Sequence, residues 1–240
     1  MIKFFRRIRQ KLLSQNSFRK YLLYAIGEIM LVIIGILLAL AVADWNENRL
    51  SDQREHAKLR QVKKGLKTDL HFIDSLYTRD VEAIEKASLL DSLLKSPRTK
   101  PDAYYNPLFG NIYGMRFVNI NSAYYEDLKS FGYDKIKNEA LRLQLIQVFE
   151  RDYLQIRGLL TNEQSINQVN RPYYLKNFNQ LAFWDYAVPN NIDQIWNDSY
   201  YQNIVNYRLI TLRANQGDIY PRSIKNIQIL LGMIDEYLNE

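Results

Sequence analysis

The stretch YAIGEIMLVIIGILLAL, from Tyr24 to Leu40, constrains this chain more than any other. With its flanks, Tyr21 to Ala43, it is an apolar run broken by one charge, Glu28. A helix crossing a hydrocarbon core of about 30 Å needs about 20 such residues. The run therefore predicts a transmembrane helix over 21–43. Tyr21 and Tyr24 mark one end and Trp45 the other, with Arg19 and Lys20 just outside, as interfacial anchors do.

Charge sets the expected direction. Lys3, Arg6, Arg7, Arg9, Lys11, Arg19 and Lys20 precede the run without an acid among them. The positive-inside rule puts residues 1–20 in the cytoplasm and everything after Trp45 outside. In a two-membrane bacterium the protein is then an inner-membrane protein with a periplasmic domain over 44–240. Met1, Phe5, Ile8 and Leu12 recur at helical spacing among the basic residues. Residues 1–13 thus read as an amphipathic helix on the anionic leaflet, or as a topology signal alone. A cleaved signal peptide is the rival to an anchor, because Ala41-Val42-Ala43 has the small-x-small form of a cleavage site. The long basic segment and the length of the apolar run favour an uncleaved signal anchor.

Removing the seven basic residues and Glu28 from 32 basic and 26 acidic residues leaves 25 of each, so the outer part is neutral. That argues against a nucleic-acid partner, which needs a basic surface. The chain has no Cys, which excludes disulfides, thiolate metal sites and Cys nucleophiles.

Glu28 falls about 6 Å inside the inner boundary of the span. Its side chain leans toward the cytoplasm, within reach of the Tyr24 hydroxyl, so the carboxylate can snorkel. Whether it is ionised is open at this stage. Glu28, Gly35, Ala39 and Ala43 share one stripe, and Gly35-xxx-Ala39-xxx-Ala43 has the small-xxx-small spacing that lets membrane helices approach closely. The stripe is the candidate transmembrane helix contact, toward a second copy or another membrane protein. A carboxylate merely tolerated near the interface is the alternative.

Beyond the span, three- and four-residue apolar spacing predicts a long helix over 46–95, carried by Leu59, Val62, Leu66, Leu70, Ile73, Leu76, Ile84, Leu90 and Leu94. Pro97, Pro101, Pro107, Gly110 and Gly114 predict an irregular, aromatic-rich connection over 96–121. Helix is expected over 122–170, pausing near Gly132 and restarting at Asn138, a good N-cap. Residues 171–197 read as irregular, with Trp184 placed nearer the membrane than the first connection. Helix returns over 198–239, kinked or broken at Gly217 and Pro221. The predicted fold class is all-α: one N-terminal transmembrane helix continuing into an antiparallel helical bundle.

MIKFFRRIRQKLL, KYLLYAIGEIMLVIIGILLALAVADWNENR and SAYYEDLKSFGYDKIKNEALRLQL together resemble a family of single-pass inner-membrane proteins of unknown function common in Bacteroidota. The resemblance implies an uncleaved anchor and a helical periplasmic domain. It implies no activity.

No HExxH, GxSxG or phosphate-binding glycine loop occurs, and no dinucleotide fingerprint. His56 and His71 stand about 22 Å apart on one predicted helix, too far to share a metal. The expectation is a protein without enzymatic activity, cofactor or metal. Its partners are the lipid bilayer and, through the span, a homo-oligomer or another membrane protein. The favoured role is an anchored interaction or scaffold subunit of an envelope complex. A ligand-sensing bundle signalling through a partner is the alternative.

Overall fold

The structure, a computed structural model, describes residues 18–114, 118, 120 and 123–239. The expected amphipathic segment 1–13 lies outside the described residues. The protein is mostly helical, at 84%. It forms two compact units, residues 1–54 and residues 55–240.

Helix α1, Phe18–Leu93, runs through both. In the first unit every large apolar side chain described from Leu22 to Val42 is exposed. This is the one helix among the described residues long and apolar enough to cross a membrane. Just beyond the apolar run the Arg49 guanidinium lies 5.5 Å over the Trp45 ring and donates to Asn46.

In the second unit α1 buries Glu55, Leu59, Val62, Leu66, Asp69, Ile73, Leu76, Asp80, Ala83, Ala87, Leu90 and, just past its end, Leu94. These steps alternate strictly between four and three residues. That is the heptad seam of a coiled coil, with acids at three seam positions. Leu70 and Ile84, expected on the core face, are only partly buried, and Asp69 and Ala83 take the seam instead. The four-three rhythm sets the seam, so a leucine one step off it stays at the margin.

Seven further α-helices follow α1 among the described residues. Helix α2, Asp102–Ile112, lies inside the expected irregular connection. Pro101 serves as its N-cap and Pro107 interrupts one hydrogen bond without ending it, because Tyr105, Leu108, Phe109 and Ile112 hold the helix by burial. Helix α3 is Ala123–Phe131. Gly132 follows at φ 107°, a left-handed conformation that glycine adopts without strain, and a 3-10 turn covers Tyr133–Lys135. Asn138 then caps α4, Glu139–Ile146, by accepting from the Leu141 amide at 3.0 Å. A π-helical segment, Gln147–Asp152, joins α4 to α5, Tyr153–Asn177.

The expected irregular stretch 171–197 is a correction. Helix α5 continues across Pro172 to Asn177, since Asn170 and Tyr174 anchor it on both sides of the missing amide bond. Strands β1, Phe178–Ala182, and β2, Tyr186–Pro189, then form an antiparallel hairpin pairing Leu181 with Ala187 and Ala182 with Tyr186. Helix α6, Ile192–Trp196, follows. Helix α7, Ser199–Gln216, is capped by Asp198, and α8 is Ile219–Asn239. The break falls at Gly217-Asp218. Pro221 sits in the first turn of α8, where its missing N–H is harmless.

Two cores stack along α1. The first gathers Leu59, Leu66 and Ile73 with Leu128, Leu145, Ile156, Ile227 and Ile234. The second is aromatic and forms around Ala83, Ala87 and Leu90, where small seam residues admit Tyr105, Phe109, Tyr174, Phe178, Trp196 and Tyr201. Both proline- and aromatic-rich stretches meet in this second core. Trp196 donates to the Ser96 carbonyl at 2.8 Å, and Arg98 pairs with Asp193. Trp184, expected at the opposite end from the first connection, instead donates its backbone N–H to the Tyr113 carbonyl and packs on Gly114. The reason is direction. Helix α5 runs parallel to α1 and delivers the hairpin to the Leu94 end, while α7 and α8 return antiparallel until Tyr237 donates to Glu55 at 2.7 Å.

Candidate functional site

The sequence pointed to the stripe on α1 in the first unit. Glu28 is half-buried there, and Gly35, Ala39 and Ala43 are exposed. A side chain added at Gly35 would meet nothing. Arg19 is exposed at the start of the helix. Lys20, Tyr21 and Tyr24 lie on α1, but their side chains are outside the described residues. Gly35, Ala39 and Ala43 are therefore presented by the helix and not covered by the other described residues.

The second unit holds a polar node that the sequence reading missed. Asp69, buried on the α1 seam, accepts from the Tyr153 hydroxyl of α5 at 2.8 Å and from the Tyr124 hydroxyl of α3. Gly65, one turn before Asp69, makes this possible. A methyl at that position would overlap the Tyr124 ring, so glycine lets the ring lie flat on α1 and aim its hydroxyl at the carboxylate. Neighbouring residues complete a clasp. Lys58 pairs with Asp127. The Tyr125 hydroxyl and Lys129 both donate to Glu150, and the Tyr125 ring stacks on Phe149 with centroids 4.0 Å apart. The SAYYEDLK stretch thus docks α3 across α1 and the π-helical segment. Its signal in the sequence was a glycine four residues before an acid on a helix face, legible only once a tyrosine partner is known.

Burial pushes the Asp69 carboxyl above its ordinary value of 3.8, opposed by the two tyrosine bonds and by the charge of Arg157. Burial and the adjacent carboxylate push both tyrosine hydroxyls upward as well, so both stay protonated donors. With its folded pKa raised, Asp69 binds its proton more readily in the folded state than in the unfolded chain. Its contribution to stability therefore falls as pH rises through the window above 3.8. We expect the stability difference between wild type and Asp69→Asn to shift in favour of the variant as pH rises from about 4 to 7. Urea midpoints of both proteins across that range check it, and a difference independent of pH would refute it.

A second buried polar element joins α5 to α7. Arg208 donates to both oxygens of Glu163, at 2.8 and 3.1 Å, with the two side chains 0% and 2% exposed. The Trp184 ring covers the guanidinium at 5.5 Å. Close by, Tyr174 bonds to the Phe109 carbonyl and to the Tyr201 hydroxyl, both at 2.8 Å.

These elements hold helices together and bring no reactive set into one place. His56 packs edge-on against Tyr237 in the first core, while His71 lines a surface groove with Lys67, Asp74 and Gln228. Among the described residues no group of three or more His, Asp or Glu side chains converges as a metal site. A second groove, lined by Leu143, Gln144, Gln147, Arg151 and Met233, runs between α4 and α8. None of the side chains lining either groove is a buried core residue.

No curated protein and no solved structure matches the chain. A family model does match, from Glu28 in the apolar run to Gln216 at the end of α7. Helix α8, which supplies Tyr220, Ile227, Leu230 and Ile234 to the first core, lies beyond that match. With residues 28–216 matched, the chain belongs to the family of unknown function DUF6090.

Proposed function

We propose that this protein is a membrane-anchored interaction or scaffold subunit of the cell envelope, acting in an oligomer or envelope complex and carrying out no reaction of its own. Its span holds residues 1–20 in the cytoplasm and the unit from Glu55 onward in the periplasm, with lipid as the first partner. The charge asymmetry around the span supports that direction. One observation carries the reading. Gly35, Ala39 and Ala43 on the apolar helix of the first unit stand at small-xxx-small spacing and are exposed, uncovered by the other described residues. In lipid such a face is satisfied by another helix.

The test is a gentle-detergent pull-down from native membranes with a C-terminal tag, sizing and identifying what is recovered. Glu28→Gln and Gly35→Leu are expected to shrink the assembly while leaving the melting of the second unit unchanged. One assembly size across wild type and both variants would overturn the reading.

A further inference from the structure

Between Gly158 and Asn170 the chain has one charged residue, Glu163, and between Ser199 and Leu212 it has one, Arg208. These two form the buried pair described above, so their charges cancel beneath the surface. The two stretches are also neighbours. Helices α5 and α7 lie side by side and antiparallel, with Tyr173 stacked on Tyr201 at 5.4 Å and set against Tyr200 at 5.7 Å. Asn162 and Val169 share the Tyr173 flank of α5 by helical spacing, and Asn203, Tyr207 and Ile210 share the Tyr200 flank of α7. All five are exposed. In a chain in which 24% of residues are charged, two adjacent helices thus present one face without any charge.

The face has the make-up of a protein-recognition surface. Tyrosines offer rigid contact area and asparagines adaptable hydrogen bonds, while Lys, Glu and Asp are absent. We propose that this α5–α7 face is the docking surface for a second copy of this chain. A two-fold contact lays a patch on its own image. A patch of one charge sign would then meet like charge, which is repulsive. A face whose only charges are buried and mutually neutralised meets its copy without that penalty. A strongly charged partner finds no complement on it. The proposal takes from the proposed function only that copies share a membrane, which raises their effective concentration.

The absence of Cys makes a clean experiment available. Asn203→Cys, Tyr207→Cys and Ile210→Cys would each be made in the full-length protein and cross-linked in native membranes. Leu143→Cys, exposed on α4, serves as the comparison. All four positions are exposed, and matching thermal melts establish that the variants fold. The face positions are expected to give a covalent dimer and Leu143→Cys only background. Adding Asn203→Glu to Tyr207→Cys, which gives the face of each copy the same charge, is expected to cut the dimer yield by about tenfold or more. Equal dimer from Leu143→Cys, or none from the three face positions, overturns the proposal. So does a Tyr207→Cys shielded from soluble maleimide that forms no self-cross-link, since another molecule would then cover the face. Run in the Glu28→Gln background, cross-links that persist uphold this surface whatever becomes of the membrane contact. Their absence while assembly size is retained overturns this surface alone.

Discussion

Glu163→Leu is expected to destabilise the second unit by about 3–5 kcal/mol, the largest effect of any single polar change here. The Arg208 guanidinium is fully buried, and both of its terminal nitrogens donate to Glu163. Removing the carboxylate leaves that cation buried beneath Trp184 without its counter-charge. The Trp184 face would return only about 0.5–2 kcal/mol as a cation–π contact, less than the loss. Replacing both partners, as Glu163→Leu with Arg208→Met, is expected to recover most of the loss, because an apolar pair of similar volume needs no desolvation of charge. Urea denaturation of the detergent-solubilised protein, followed by circular dichroism, measures all three. A loss below about 1 kcal/mol for Glu163→Leu would mean that Arg208 reaches water and that the pair behaves as a surface bridge.

Gly110→Ala is expected to cost about 2 kcal/mol and to loosen the hairpin, although alanine is the better helix former. Gly110 lies in α2, where alanine would gain about 1 kcal/mol from propensity alone. The sign reverses because the new methyl would overlap the backbone of Tyr186 on β2. A backbone cannot rotate aside as a side chain can, so strand and helix must part. Phe109, on the next residue, packs against Phe178 and Tyr201 and would lose contact with the shift. The expected readouts are a lowered unfolding midpoint and faster proteolytic nicking at the turn 183–185. Gly158→Ala on α5, where an added methyl meets nothing, is the matched control and should be neutral or slightly stabilising. If both variants behaved alike, the close approach of α2 and β2 would not matter to stability.

The helices were legible where apolar spacing, caps and breakers agreed. Asn138 caps α4 as expected, and Gly132 carries the expected pause. The seam of α1 was only half legible. Its heptad spacing is strict from Glu55 to Leu94, yet acids at positions 55, 69 and 80 break the apolar pattern that would announce it. Those acids are seam residues because hydroxyls from other helices reach them, Tyr237 for Glu55 and Tyr124 with Tyr153 for Asp69. No local signal in α1 carries that information. Helix α2 and the last turns of α5 were missed for the opposite reason. Prolines 107 and 172 predict breaks, and burial in the aromatic core outweighed one lost hydrogen bond at each.

By itself the sequence determined the apolar span with its carboxylate stripe, the charge asymmetry around it, and a helical bundle beyond. Each of these follows from local periodicity or summed charge, which need no knowledge of neighbours. Only the tertiary structure decided that Gly65 serves a tyrosine, that Glu163 and Arg208 cancel each other, and that α5 and α7 together leave a face without charge. Each depends on which helix lies beside which, because pairing energy belongs to two segments at once and leaves no mark on either alone.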